Sequence, residues 1–300
     1  MTTIKNQNFG VEIELTGITR TNAAKIIAKH FNTGDIMVGD DYYRSRFALD
    51  SKGRKWRCMS DGSIRCETNT RQPVSDEYSC EVVTPILQYD DLEDLQQIVR
   101  ELKEAGAIAN SSCGIHVHVD GANHTPESLI RLMNFAIGRQ DLFYEALQVG
   151  ARANRWCRKM NGNLFKAMKK ASTKEEVEQL WYSRLNDGYT GGIDHRHYCP
   201  TRYHGINLHA FFTKGTVEFR LFNGTTHAGK IKSYIQFCLA MSAWAIECDN
   251  DNLHFKSIAN YTSEQKAAIM NRVLKNRLGL SGPEFKTCRY HLTSVWTQAA

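Results

Sequence analysis

The sequence lacks the marks of an exported or membrane-embedded protein. Its first ten residues, MTTIKNQNFG, do not show the basic and then apolar layout of a signal peptide. No apolar run approaches the roughly 18 residues that a membrane-spanning helix needs. No internal repeat, low-complexity tract or block of like charge occurs. We therefore expect a cytoplasmic protein that has no membrane partner.

A regular cysteine framework is also missing. The nine cysteines are an odd number, and no CxxC pair occurs. Cys58, Cys66 and Cys80 lie near one another, but their spacing matches none of the usual structural zinc patterns. Reduced, mostly buried thiols are the favoured interpretation, and a zinc site is the alternative.

The composition is that of an ordinary globular protein. Of the 300 residues, 42% are hydrophobic and 23% are charged, which allows a large core to form. The net charge of +6 is compatible with anionic substrates such as nucleotides. It is too modest to indicate nucleic acid, and we expect no nucleic acid partner.

Alternating and helical periodicities predict an α+β fold, with a mostly antiparallel sheet and helices on one of its faces. Strands are predicted at residues 9–15, 81–87, 113–120, 203–212 and 216–222, and among residues 36–66. Helices are predicted at 21–31, 90–105, 126–146, 231–248 and 262–277, and Thr125 and Thr262 are predicted to cap the starts of the third and the last of these helices. The basic segment 151–200 is predicted to begin as a helix and to end in a glycine-bearing loop.

The predicted strands carry unusual polar faces. Their non-core positions are Glu12, Glu14, Glu81, His116, His118, Glu218 and Arg220. Each position alone fits a solvated strand, and the two histidines could equally hold zinc or make structural hydrogen bonds. Carboxylates gathered on one sheet repel each other, however, and a divalent ion with oxygen ligands relieves that repulsion. The pattern therefore predicts a site for Mg²⁺ or Mn²⁺.

Five ordered motifs resemble the amidoligase family, which lies within the glutamine synthetase-like carboxylate–amine ligases together with the glutamate–cysteine ligases. The motifs cover roughly residues 8–245. They are FGVEIE (9–14), DGS (61–63), CEVVTPIL (80–87), CGIHVH (113–118), and Arg202 with Asn207 before GTVEFR (215–220).

The resemblance implies a glutamine synthetase-like fold whose active site lies on the open sheet face. It implies ATP and Mg²⁺, with Mn²⁺ as an alternative ion. The implied metal ligands are Glu12, Glu14, Glu81, His116 and Glu218. The implied nucleotide contacts are Arg202, Asn207, Arg220 and His118, and the implied catalytic residues are Arg220, Arg202 and Glu218. Residues 1–250 would form the catalytic domain, with 151–200 as a lid or substrate-binding insertion and 251–300 as a C-terminal helical extension.

The implied reaction suits these residue types. A carboxylate does not react with an amine until ATP converts it into an acyl phosphate, and phosphoryl transfer needs metal ions and a cation rather than a protein nucleophile. The identities of the carboxylate and the amine stay open. Two alternatives also stay open: an inactive nucleotide- or peptide-binding module of the same fold, and a zinc-dependent hydrolase that uses His116 and His118.

Three other segments have competing interpretations. Residues 224–230 spell the first seven positions of a P-loop, but Ile231 stands where Ser or Thr is needed, so a plain turn is favoured. Residues 194–197, DHRH, fit a polar loop better than a metal site. Residues 152–159 fit a solvated helix face or a lid over ATP better than an RNA contact.

Overall fold

A computed structural model of the protein describes residues 1–249 and 257–297. Within these residues the chain forms eight strands and ten α-helices. The strands are β1 (Phe9–Leu15), β2 (Met37–Val38), β3 (Arg46–Leu49), β4 (Lys55–Met59), β5 (Cys80–Val83), β6 (Gly114–Asp120), β7 (Ile206–Asn207) and β8 (Thr216–Asn223). The helices are α1 (Arg20–Phe31), α2 (Leu92–Glu104), α3 (Pro126–Ile137), α4 (Gln140–Ala146), α5 (Gly162–Met168), α6 (Lys174–Trp181), α7 (His209–Lys214), α8 (Ala228–Glu247), α9 (Ser263–Arg272) and α10 (Lys286–Thr297).

The described strands form one open sheet in the order β2-β3-β4-β5-β1-β6-β8-β7. The pairs β1–β5, β2–β3, β3–β4, β4–β5 and β7–β8 are antiparallel. The predicted α+β class and antiparallel sheet are therefore confirmed. None of the helices within residues 1–249 and 257–297 is long and apolar enough to cross a bilayer.

The chain divides into two compact units. The first unit comprises residues 8–117 and 222–234. In this unit α1 packs on β3, β4 and β5 through a small apolar face that includes Ala24 and Ile27, both fully buried. Thr19 caps the helix, since its side chain accepts a hydrogen bond from the Asn22 backbone N–H.

The second unit comprises residues 1–7, 118–221 and 235–300. In this unit α10 packs on α9 and α4. Glu145 of α4 connects the three helices. It accepts hydrogen bonds from Lys266 Nζ of α9 at 2.8 Å and from Trp296 Nε1 of α10 at 2.6 Å. The predicted caps of α3 and α9 are confirmed: the hydroxyls of Thr125 and Thr262 each accept a backbone hydrogen bond three residues later. The predicted domain boundary near residue 250 stays a prediction.

The predicted strand at 203–212 is largely wrong. Only Ile206–Asn207 are extended, and α7 begins at His209. The cause is local: Asn207 Oδ1 accepts a hydrogen bond from the His209 backbone N–H at 2.8 Å, which turns the chain out of the strand.

Other boundaries also differ from the predictions. The single helix expected at 126–146 is broken, because Arg139 has the non-helical angles φ −133° and ψ 10° after Gly138. Strand β5 ends at Val83 instead of Leu87, since Pro85 offers no N–H to a neighbouring strand. The 151–200 segment forms α5 and α6 only from residue 162 onward, and α10 was not predicted.

Candidate active site

Two glutamates and a histidine from the first unit form a compact, buried group. Glu14 on β1 lies directly opposite Glu81 on β5 in the antiparallel register. Together with His116 on β6, each residue offers one ligand atom, and these atoms lie within 4.8 Å of one another. The three residues are only 4–7% exposed. Like charges directly opposite each other on a sheet are unfavourable, so this pair calls for a compensating cation.

Hydrogen bonds hold the group in place. The Gly114 backbone N–H donates to Glu14 Oε2 at 2.5 Å. His116 Nδ1 lies 2.8 Å from Glu12 Oε2, and His116 Nε2 lies 3.7 Å from Glu14 Oε1. With the Nδ1 proton donated to Glu12, Nε2 is the ring nitrogen that would bind a metal, which is the usual carboxylate–histidine–metal arrangement. The oxygen-rich donor set of Glu14, Glu81 and His116 fits Mg²⁺ or Mn²⁺.

The other predicted ligand, Glu218, lies in the second unit, where it is 2% exposed. It faces Asn207 in the β7–β8 register, and Asn207 Nδ2 donates to Glu218 Oε2 at 2.6 Å. Glu218 Oε1 forms an ion pair with Arg220 Nη1, and it lies 3.7 Å from His118 Nε2. Each carboxylate oxygen has two lone pairs, so Glu218 can hold Asn207 and Arg220 at the same time.

The two predicted phosphate-binding arginines lie around one tyrosine ring. The guanidinium carbons of Arg202 and Arg220 lie 5.7 and 5.9 Å from the ring centroid of Tyr203. Arg202 Nη1 donates to the His197 carbonyl at 2.8 Å, whereas its buried Nε has no hydrogen-bond partner within residues 1–249 and 257–297. Trp156 packs against the same tyrosine edge to face, at 5.6 Å. The structure thus brings both arginines to one aromatic cluster.

His118 lies next to Glu218, and it belongs to no group of three potential metal ligands in the described residues. Its Nδ1 lies 2.9 Å from the hydroxyl of Thr216. Among the described residues, no group of three potential metal ligands includes both His116 and His118. This arrangement gives no support to the zinc alternative.

The sequence did not reveal the contacts of His209 that hold Asn207 in position. His209 Nδ1 lies 2.6 Å from the Tyr182 hydroxyl, and the His209 backbone N–H donates to Asn207 Oδ1. Burial, with Arg202 nearby, lowers the pKa of His209 to about 4, so the ring is neutral at pH 7. No periodicity signals this contact, because α7 has only six residues and Tyr182 is distant in sequence.

The remaining sequence candidates have structural explanations. At Gly224 an added Cβ would lie 2.5 Å from the Cys113 Cβ, so close packing requires glycine in the P-loop-like turn. His195 pairs with Glu178, and Asp194 pairs with Arg196, as in an ordinary polar loop. A hydrogen bond with Cys80, together with burial, raises the pKa of the Cys58 thiol, and no metal group in the described chain contains these cysteines.

Comparison with curated proteins gave no match. A family model described as "Putative amidoligase enzyme" matches residues 5–242, which includes every site residue described above. The match extends over more than half of the chain, and the motifs that carry the buried carboxylates and arginines lie inside it. The chain belongs to the amidoligase family, and its family indicates a ligase.

Proposed function

We propose that the protein is an ATP-dependent carboxylate–amine ligase that works through an acyl phosphate on a glutamine synthetase-like fold. The observation that carries this proposal is the buried Glu14–Glu81–His116 group in a chain of the amidoligase family. A ligase of this kind must bind a polyphosphate, and a buried acidic group supports that task only if a divalent cation neutralises it.

The proposal assigns Mg²⁺ to Glu14, Glu81 and His116, with Glu12 and Glu218 as further ligands. Bound Mg²⁺ would neutralise charge on the phosphate oxygens and orient them. Glu12 fixes the His116 ring through Nδ1, and the Gly114 N–H fixes Glu14. One imidazole and one carboxylate, His116 and Glu14, thus keep their orientation before any ligand arrives, which lowers the cost of binding.

The proposal assigns Arg220 and Arg202 to the phosphate oxygens of ATP. A guanidinium donates two parallel hydrogen bonds to a phosphate and stays charged at any physiological pH. Asn207 positions Glu218 and, with His118, completes the nucleotide side of the site. A carboxylate substrate would attack the terminal phosphorus, ADP would leave, and the amine would displace phosphate from the acyl phosphate.

Calorimetry of ATP binding tests the metal requirement. We expect ATP to bind in Mg²⁺ and to lose most of its affinity in EDTA. The Glu81→Gln variant should bind poorly in both conditions, whereas Glu104→Gln, an exposed change of the same charge, should behave as wild type. Equal, tight binding in EDTA would rule out the proposed metal role.

A turnover screen separates the ligase from an inactive module. ADP release is measured across pools of amines and carboxylates, and we expect it to require one member of each pool. ATP binding without any release in every pool would indicate the binding module instead. Zinc that co-purifies in a 1:1 ratio, with hydrolysis in the absence of ATP, would indicate the hydrolase.

A further inference from the structure

Arg152 is a buried cation that has no counter-ion among the residues the structure describes. It lies in the single 3₁₀ turn Gly150–Asn154 and is 8% exposed. Its guanidinium lies close enough to the Cys157 thiol to lower the pKa of that thiol, and within the described part of the chain its buried Nε has no hydrogen-bond partner. No carboxylate in the described part of the chain forms an ion pair with it. A charge this deeply buried is unfavourable unless an anion accompanies it.

The surroundings of Arg152 are cationic rather than acidic. Arg152 and Arg220 both act on Cys157, lowering the pKa of a thiol that burial raises. Arg220 Nε also points at the Trp156 carbonyl, at 3.4 Å. Trp156 contacts Tyr203, which lies against Arg202. Each of the three arginines therefore lies against Cys157 or Tyr203, and within the described chain only Arg220 of the three has a carboxylate partner, Glu218.

A purely structural role explains Arg152 poorly. A structural arginine usually satisfies its five N–H donors with carboxylates or backbone carbonyls, as Arg20 does with the carbonyls of Asp76 and Ser79. A thiol is a weak acceptor and does not neutralise a guanidinium. An unsatisfied buried group in a native structure needs an explanation, and a bound anion would supply one for a guanidinium.

We propose that Arg152 binds an oxyanion of the substrate and forms, with Arg202 and Arg220, a three-arginine anion site. The inference rests on the proposed function, which supplies two oxyanions: the triphosphate of ATP and the carboxylate of the acceptor. Both present oxygens that match the guanidinium fork. Arg152 thereby enters the candidate site from the 151–200 segment, which contains none of the five family motifs.

Binding of two probes to Arg152→Met tests this assignment. Inorganic tripolyphosphate with Mg²⁺ stands for the nucleotide, and citrate stands for the carboxylate. We expect roughly a tenfold or greater loss of affinity for one of them, as for the loss of a charge-assisted hydrogen bond. The probe whose binding is weakened shows whether Arg152 binds the phosphate or the carboxylate. Arg184→Met, an exposed arginine of the same segment, is the matched control and should change neither affinity.

The ligand-free melting temperature separates binding from structure. Because Arg152→Met removes an uncompensated buried charge, the free variant should melt at or above the wild-type temperature, while the probe should stabilise it less. Unchanged affinity for both probes overturns the inference. If Arg152→Met does not fold, the affinity of Arg152→Gln for the same two probes tests whether Arg152 binds an oxyanion. Failure of the wild-type protein to bind either probe would instead count against the proposed function.

Discussion

Glu14 and Glu81 are the residues whose energetics depend most directly on a bound ion. They face each other across β1 and β5, and both are almost fully buried. Gly114 supplies one hydrogen bond to Glu14, but a neutral donor does not remove the repulsion between two carboxylates. The repulsion between these two carboxylates therefore lowers the stability of the protein unless a cation compensates it.

We predict that millimolar Mg²⁺ raises the melting temperature of the wild-type protein. Glu14→Gln should reduce that gain and should raise the melting temperature in EDTA, by roughly 2–4 °C per kcal/mol of repulsion relieved. The measurement is a thermal melt with and without Mg²⁺, and Glu104→Gln serves as control. A wild-type melt that Mg²⁺ does not affect contradicts a preformed metal site.

Arg220 has both a structural and a proposed catalytic partner. Its ion pair with Glu218 is buried on both sides. We predict that Arg220→Lys folds but loses about 10²–10³ in the rate of ADP formation, because lysine keeps the charge and loses the two-pronged geometry.

A melting curve must accompany this rate measurement. If Arg220→Lys is unfolded, the ion pair with Glu218 is the main role of Arg220. If it folds and turns over at the wild-type rate, Arg202 becomes the better candidate for the transferring phosphate.

At the scale of elements, Asp91 ties the start of α2 to the loop between β3 and β4. Its side chain is 5% exposed and pairs with Arg54 at 2.8 Å and Lys52 at 2.7 Å. It also accepts a hydrogen bond from the Gln88 backbone N–H. Burial alone would raise the pKa of Asp91, but hydrogen bonds from Arg54, Gln88 and Lys52 hold it well below its usual range.

We predict that Asp91→Asn costs roughly 3 kcal/mol of unfolding free energy at pH 7, because it leaves Arg54 without this partner. A depressed folded-state pKa stabilises the protein above the unfolded-state pKa of about 4, and that stability is lost as pH falls toward the folded value. The gap between the variant and wild type should therefore narrow below about pH 4. Urea unfolding at pH 7 and pH 3 measures it.

The matched control for Asp91 is its neighbour. Asp90→Asn makes the same charge change at the same helix end, but Asp90 is exposed. It should change stability by less than about 0.5 kcal/mol. A similar cost for both variants would show that the helix dipole, and not the buried ion pair, dominates.

At the scale of the whole molecule, three buried histidines couple stability to pH. Burial lowers the pKa values of His124, His204 and His209 to about 4, although Asp120 and Asp187 act in the opposite direction on the first two. Their unfolded values lie near 6.5. Between these limits the unfolded chain binds more protons than the folded chain, so stability falls as pH falls.

We predict that the urea midpoint of the wild-type protein declines steadily from about pH 6.5 to pH 4. In the His204→Phe variant the urea midpoint should decline less over this pH range, because one titrating ring is removed. The check is a series of urea transitions at constant ionic strength. A midpoint that stays constant across this range contradicts the buried, neutral assignment of these rings.

The sequence determined the elements whose information is local. Alternation along residues 9–15 and 113–120 was sufficient to predict β1 and β6, and the caps Thr125 and Thr262 were sufficient to predict the starts of α3 and α9. These signals predict the structure correctly because the alternation of side chains and the bond of a cap both act within a few residues. The acidic and arginine motifs likewise indicated the family that the match over residues 5–242 confirms.

Only the tertiary structure decided how these residues are paired. The register that sets Glu14 against Glu81 and the hydrogen bond between Asn207 and Glu218 depend on residues that different elements bring together. The same holds for the surroundings of Arg152, where the described residues provide no counter-ion. The predicted strand at 203–212 was wrong because the bond between the Asn207 side chain and the His209 N–H prevailed over strand propensity. Pairing depends on strand order and burial, which arise when the whole chain packs and which no short sequence window contains.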